Sequence, residues 1–173
     1  MSVRFELHIE DLPEQRLLVV RREVPMELLM EAVPQAIDEV GGYLKEVGAG
    51  HSGPPVFTMS GPDGDGLARI AVGWPTDAAP RPPVVELVFP ATRALVFTHT
   101  GPYELLPRSY RLLEEVIAKN ELGITGDARE VYVGDPSEVS PDELETLIVW
   151  PVRTDDELEP PSGDYFHKRV EID

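Results

Sequence analysis

Thr98-His99-Thr100-Gly101-Pro102-Tyr103-Glu104-Leu105-Leu106 joins two different apolar patterns. Upstream, Arg93 to His99 reads as a strand, and Gly101-Pro102 turns the chain. From Tyr103 the apolar period changes from two to about 3.6. Leu105, Leu106, Ser109, Leu112, Leu113, Val116 and Ile117 fall on one stripe of a helix. Glu104, Arg108, Arg111, Glu114, Glu115 and Lys119 fall on the other. Gly123 stands where a helix C-terminal glycine is expected.

The N-terminal half carries a second copy of this strand–turn–helix. Pro13, Arg16, Leu18 and Val19 align with Pro90, Arg93, Leu95 and Val96, 77 residues on. Pro25, Glu27, Leu28 and Leu29 align with Pro102, Glu104, Leu105 and Leu106 at the same offset. Trp74-Pro75 aligns with Trp150-Pro151 one residue short of it. In the first copy the strands are Val3 to Ile9, Arg16 to Arg22, Pro55 to Met59 and Leu67 to Trp74. Its helix opens at Pro25 and runs through Leu29, Val33, Ile37, Val40, Leu44 and Val47. Pro34 is expected to bend that helix, with two short helices as the alternative. In the second copy the strands are Pro83 to Phe89, Arg93 to His99, Glu130 to Val133 and Glu145 to Val152, with the helix over Tyr103 to Asn120.

The predicted fold is therefore α+β. It is a duplicated β-α-β-β module with pseudo-two-fold symmetry, an antiparallel sheet with helices on one face, and a cleft where the copies meet. Residues 1–173 are read as one domain, with repeats over 1–76 and 83–152 and a tail over 153–173. Within the tail, Asp164 to Ile172 is expected to form a short strand.

Composition narrows the function. A net charge of −17 argues against nucleic-acid binding, where cations must replace condensed counterions, and favours cationic ligands. The chain has no cysteine, hence no disulfide and no thiolate site. No apolar run is long enough to span a membrane, and the start lacks the apolar region of a secretion signal, so a cytoplasmic location is expected. Its four histidines lack metal-ligand spacing, and no nucleophile elbow or phosphate loop occurs. His99 reads as structural. Neither metal nor cofactor is expected.

Glu130 and Tyr132 share one face of their strand, while Val131 and Val133 suit the face covered by the helix. A carboxylate beside a phenol ring is a seat for a cationic aromatic ligand. The alternative leaves both on a bare, wet sheet face. Trp74 and Trp150, at equivalent strand ends, either cap the hydrophobic layers or line a ligand site. Tyr103 either points into the cleft or staples the helix start, and Phe57 is either core or an aromatic wall.

These motifs resemble a known family. His99-x-Gly101-Pro102-Tyr103-Glu104, then Arg129-Glu130-Val131-Tyr132-x-x-Asp135-Pro136, then Glu145-Thr146-Leu147-Ile148-x-x-Pro151-Val152, are similar to the GyrI-like small-molecule-binding domain. Gly53-Pro54-Pro55-Val56-Phe57 and Gly73-Trp74-Pro75 resemble its first-repeat motifs. The resemblance implies a cleft for hydrophobic, often cationic, compounds. Relatives of this kind are effector halves of transcription regulators or stand alone; some modulate gyrase, and some hydrolyse cyclopropane-bearing alkylators. In many members a glutamate follows the threonine of the last strand, where this chain has Leu147.

No helix-turn-helix precedes the first strand, so the expectation is a stand-alone ligand-binding domain, a monomer or weak dimer, with an effector-binding or sequestering role. Glu130, Tyr132, Tyr103, Trp74, Trp150, Phe57 and Leu147 are the candidate ligand residues. Two alternatives stand beside this. One is a hydrolase of cyclopropanoid or other electrophilic toxins that uses Glu130 and Tyr132. The other is a protein-interaction inhibitor of the gyrase-modulator kind.

Overall fold

The structure is a computed structural model that describes residues 2–158 and 169–171. The strands are β1 (Ser2–Leu12), β2 (Gln15–Pro25), β3 (Val56–Ser60), β4 (Leu67–Pro75), β5 (Val85–Phe89), β6 (Thr92–Thr100), β7 (Arg129–Tyr132), β8 (Glu145–Val152) and β9 (Arg169–Glu171). The helices are α1 (Leu29–Glu46) and α2 (Leu106–Lys119), each entered through one 3-10 turn. The chain is α+β, and the strand–strand–helix–strand–strand order occurs twice, as the repeat requires.

Two compact units form, one from Met1–Leu12 with Thr92–Asp173 and one from Pro13–Ala91. Their limits differ from those of the sequence repeats because each repeat's first strand pairs outside its own repeat. β1 runs antiparallel to β6, with Phe5 opposite His99 and Leu7 opposite Phe97. β5 likewise pairs with β2, Leu87 opposite Leu17.

In the unit containing α2, β6 also pairs with β8 and β8 with β7, all antiparallel. β9 adds to β1, so Arg169–Glu171 of the expected terminal strand is present; the rest of Asp164–Ile172 lies outside the described residues. The core is one face of this sheet packed on α2. Phe5, Leu7, Leu95, Phe97, Ile148 and Val152 meet Leu113 and Val116 of the helix. Phe5 and Phe97 stack with ring centroids 5.3 Å apart.

In the other unit β2 and β4 are the central pair, flanked by β5 and β3. α1 packs here and buries Ala32, Ala36, Val40 and Leu44. The expected stripe is thus rotated toward the alanines: Leu29, Val33 and Ile37 are half-buried flanks, and Val47 is exposed. The two small residues let the helix axis approach the sheet. The Trp74 indole N–H donates to the Ile37 carbonyl at 3.0 Å, and a Cβ on Gly41 would lie 3.5 Å from that nitrogen. Gly73 is needed for a closer approach, since a Cβ there would fall 1.8 Å from the Leu18 carbonyl oxygen.

One alternative falls away and one local expectation is corrected. Pro34 does not divide the first helix, which runs unbroken for 18 residues. Proline removes one internal hydrogen bond, while the packed Ala32 before it and Ala36, Val40 and Leu44 after it hold the helix on both sides of that gap. Gly123 is not the residue that ends α2. Glu121 takes the left-handed conformation, φ 52°, and the Glu121 and Leu122 amides donate to the Ala118 and Ile117 carbonyls. That is a Schellman ending, and Gly48 plays the same part after α1 with φ 68°. Gly123 is small for another reason: a Cβ would collide with the Arg153 side chain at 2.4 Å. The Arg153 guanidinium donates to the buried Asp156 carboxylate, which also accepts from the Gly123 amide at 2.6 Å.

Candidate functional site

The strand ladders of the α2 unit fix a grid of side chains on the helix-covered face. Its rungs are Phe5–His99–Thr146–Tyr132, Leu7–Phe97–Ile148–Glu130 and Ile9–Leu95–Trp150. Directly opposed residues of antiparallel strands project to the same side. Phe97 and Ile148 meet α2, so Glu130 and Tyr132 face the helix as well. This corrects the sequence-based assignment, which gave that face to Val131 and Val133. Val133 is exposed and lies just beyond β7. Alternation groups residues by face without saying which face is covered, and the apolar character of the valines misled the choice.

Glu130 is only 8% exposed. Tyr110, from the middle of α2, donates its hydroxyl to Glu130 Oε2 at 2.8 Å. Tyr132, two residues along β7, donates to Oε1 at 3.1 Å. Each carboxylate oxygen is therefore held by a phenol, and no ion pair to Glu130 forms among the described residues. Around this centre the Tyr103 ring meets Tyr132 edge-on at 5.8 Å, and Tyr110 meets Trp150 edge-on at 6.3 Å. The result is a buried acid enclosed by three tyrosines and a tryptophan.

Burial pushes the Glu130 carboxyl above its usual range, while the hydrogen bonds from Tyr110 and Tyr132 oppose that shift. The phenols of Tyr110 and Tyr132 are raised first by burial and then by the Glu130 charge. Tyr103 is raised by burial, with Asp135 and Glu130 adding to it. All three rings stay protonated at neutral pH. When ionised, the carboxyl places negative charge in an aromatic surround, which is the chemistry that attracts a desolvated organic cation.

His99 anchors the turn that places Tyr103. It is fully buried, and its Nε2–H donates to the Pro102 carbonyl at 3.0 Å. Nδ1 therefore accepts the Ser109 hydroxyl at 2.6 Å. Burial holds its pKa below the ordinary imidazole value, so the ring is neutral. Gly101, at φ 150°, gives the backbone freedom this turn needs, and its amide donates to the Leu144 carbonyl at 2.8 Å.

The structure brings Glu130, Tyr132, Tyr103 and Trp150 into one cluster. Leu147 projects from the opposite face of β8, between Thr98 and Val131. Trp74 and Phe57 belong to the other compact unit, where the Trp74 ring meets His51 at a tilt of 34°, centroids 4.3 Å apart, and Phe57 is buried opposite Val72. Tyr110 was missed by sequence reasoning. It lies seven residues after Tyr103 on the same side of the helix, and that spacing was the available signal.

Overlaying the repeats by ladder register shows where the two units diverge. Phe57 stands at the position of Glu130, Met59 at that of Tyr132, and Ile70 at that of Thr146. On the helices, Val33 stands where Tyr110 is. One scaffold thus carries a polar cluster in one copy and a hydrocarbon filling in the other. Among the described residues no group of His, Cys, Asp or Glu is placed to hold a metal ion, and no helix is long and apolar enough to cross a membrane.

Fold and cluster together define a duplicated α+β module with an acid sunk among aromatic rings. The sequence profile of the GyrI-like small molecule binding domain matches residues 5–153, and the chain belongs to that family. Among curated proteins no sequence match is found. Among solved structures the chain is similar to the EcmrR C-terminal domain, at 20% identity and TM-score 0.71, covering 86% of this chain and 98% of that one. It is also similar to EcmrR in a cryo-EM structure with DNA, at 20% identity and TM-score 0.72, covering 89% of this chain. There the chain spans only 58% of the EcmrR length. SAV2435 bound to tetraphenylphosphonium is similar at 12% identity and TM-score 0.64, covering 86% of this chain and 94% of that one. At these identities the likeness carries the fold.

Proposed function

We propose that this domain takes up lipophilic, aromatic, neutral-to-cationic small molecules, in an effector-binding or sequestering role, and that Glu130 is the counter-charge for the cationic ones. The observation that carries this reading is the state of that carboxylate. It is buried, both oxygens accept from phenols, and no ion pair offsets it among the described residues. A buried anion is costly unless a charge or strong hydrogen bonds answer it. Two neutral donors answer it in part, and an organic cation would complete the match. Tyr103, Tyr132, Tyr110 and Trp150 supply ring faces and edges for such a guest, and the net charge of −17 draws cations toward the protein. A related fold is known with tetraphenylphosphonium bound, which makes that ion a fitting probe.

Titration calorimetry with tetraphenylphosphonium tests the reading. Glu130→Gln keeps the shape and removes the charge, so affinity should fall by about 1–3 kcal/mol, the range of a charge-assisted interaction. Triphenylphosphine oxide, similar in shape and uncharged, should bind both forms alike. Equal affinity of the two proteins for the phosphonium would remove Glu130 from the site.

A further inference from the structure

We propose that Thr146 is a ligand-selectivity residue: its hydroxyl pairs with a hydroxyl or carbonyl group carried by the cation that Glu130 receives. This rests on the counter-charge reading above. Thr146 is fully buried, and its Oγ1 has no hydrogen-bond partner among the described residues. The residues beside it on the rung cannot supply one cheaply. Both ring nitrogens of His99 are already engaged, with Ser109 and with the Pro102 carbonyl. The Tyr132 hydroxyl gives its proton to Glu130.

Buried hydroxyls left unmatched are destabilising, and such exceptions gather at functional sites. The fold itself does not call for a hydroxyl at this place. The equivalent position in the other unit is Ile70, which is buried and wholly apolar. Thr146 stands directly opposite Tyr132, where Cβ atoms are about 4.5–5.5 Å apart, and diagonal to Glu130. Beside it on the rung, the Tyr132 ring is met edge-on by Tyr103. A guest that parts these two rings to reach Glu130 meets the threonine hydroxyl next. The favoured class is then a lipophilic cation bearing a hydrogen-bonding oxygen, over one of bare hydrocarbon.

The test compares tetraphenylphosphonium with (3-hydroxyphenyl)triphenylphosphonium on the wild type, Thr146→Val and Thr146→Ser. The wild type and Thr146→Ser should bind the hydroxylated ion about tenfold more tightly than the parent ion. Thr146→Val, nearly the same in shape, should bind both ions equally and melt no lower than the wild type. A preference that survives in Thr146→Val, or is absent from the wild type, overturns the assignment while leaving Glu130 untouched. Failure of both ions to bind the wild type overturns the counter-charge reading itself.

Discussion

Glu130 is built into the protein against its own solvation. Its carboxyl pKa is raised above the ordinary value by burial, so the folded state favours the protonated acid more than the unfolded chain does. The folded protein therefore holds the extra proton between the two pKa values, and stability falls as pH rises across that window. Below the unfolded value the penalty is absent; above the folded value it is fully present. Glu130→Gln carries no such penalty. Denaturant melts of the variant and the wild type should agree in acid and diverge toward neutral pH, with the variant the more stable there. A constant difference across pH would mean that Glu130 is not desolvated as described. The same residue was legible in the sequence as a candidate, through its spacing from Tyr132. Its partner Tyr110 was not, because a phenol at a mostly apolar helix position reads as one more core residue until its hydroxyl is seen to end on an acid.

Among the elements, the repeat was the most legible feature. Proline before each helix and the paired Trp-Pro at the ends of β4 and β8 survive in the structure, while the period of two expected upstream of Tyr103 does not, since β6 is buried continuously over residues 94–97, as β2 is over 17–20. What escaped were properties set by neighbours. Ala32 and Ala36 turn α1 further than its larger residues suggest, since close approach to the sheet favours small side chains. Gly123 attracted attention as a helix stop, yet its smallness answers the Arg153 side chain from across the unit. The stop itself is Glu121, a residue with a Cβ in left-handed backbone, where α1 uses Gly48. Glu121→Gly should therefore raise stability, by about 1 kcal/mol, the penalty for a side chain in that conformation. Thermal or urea unfolding measures it; a loss of stability would show that the glutamate earns its place through contacts with its side chain.

Across the whole molecule the two units share one plan and differ in filling. Position by position, Glu130, Tyr132, Tyr110 and Thr146 face Phe57, Met59, Val33 and Ile70 in the comparison. The account predicts one cation site per chain, in the unit that contains α2. The most direct measurement is a crystal structure of the protein with tetraphenylphosphonium. The phosphonium should lie within about 6 Å of the Tyr103, Tyr132 or Tyr110 ring, the reach of a cation–π contact, with Glu130 the nearest carboxylate. A phosphonium resting on the surface acids, with the Glu130 oxygens still shut behind their phenols, would contradict it.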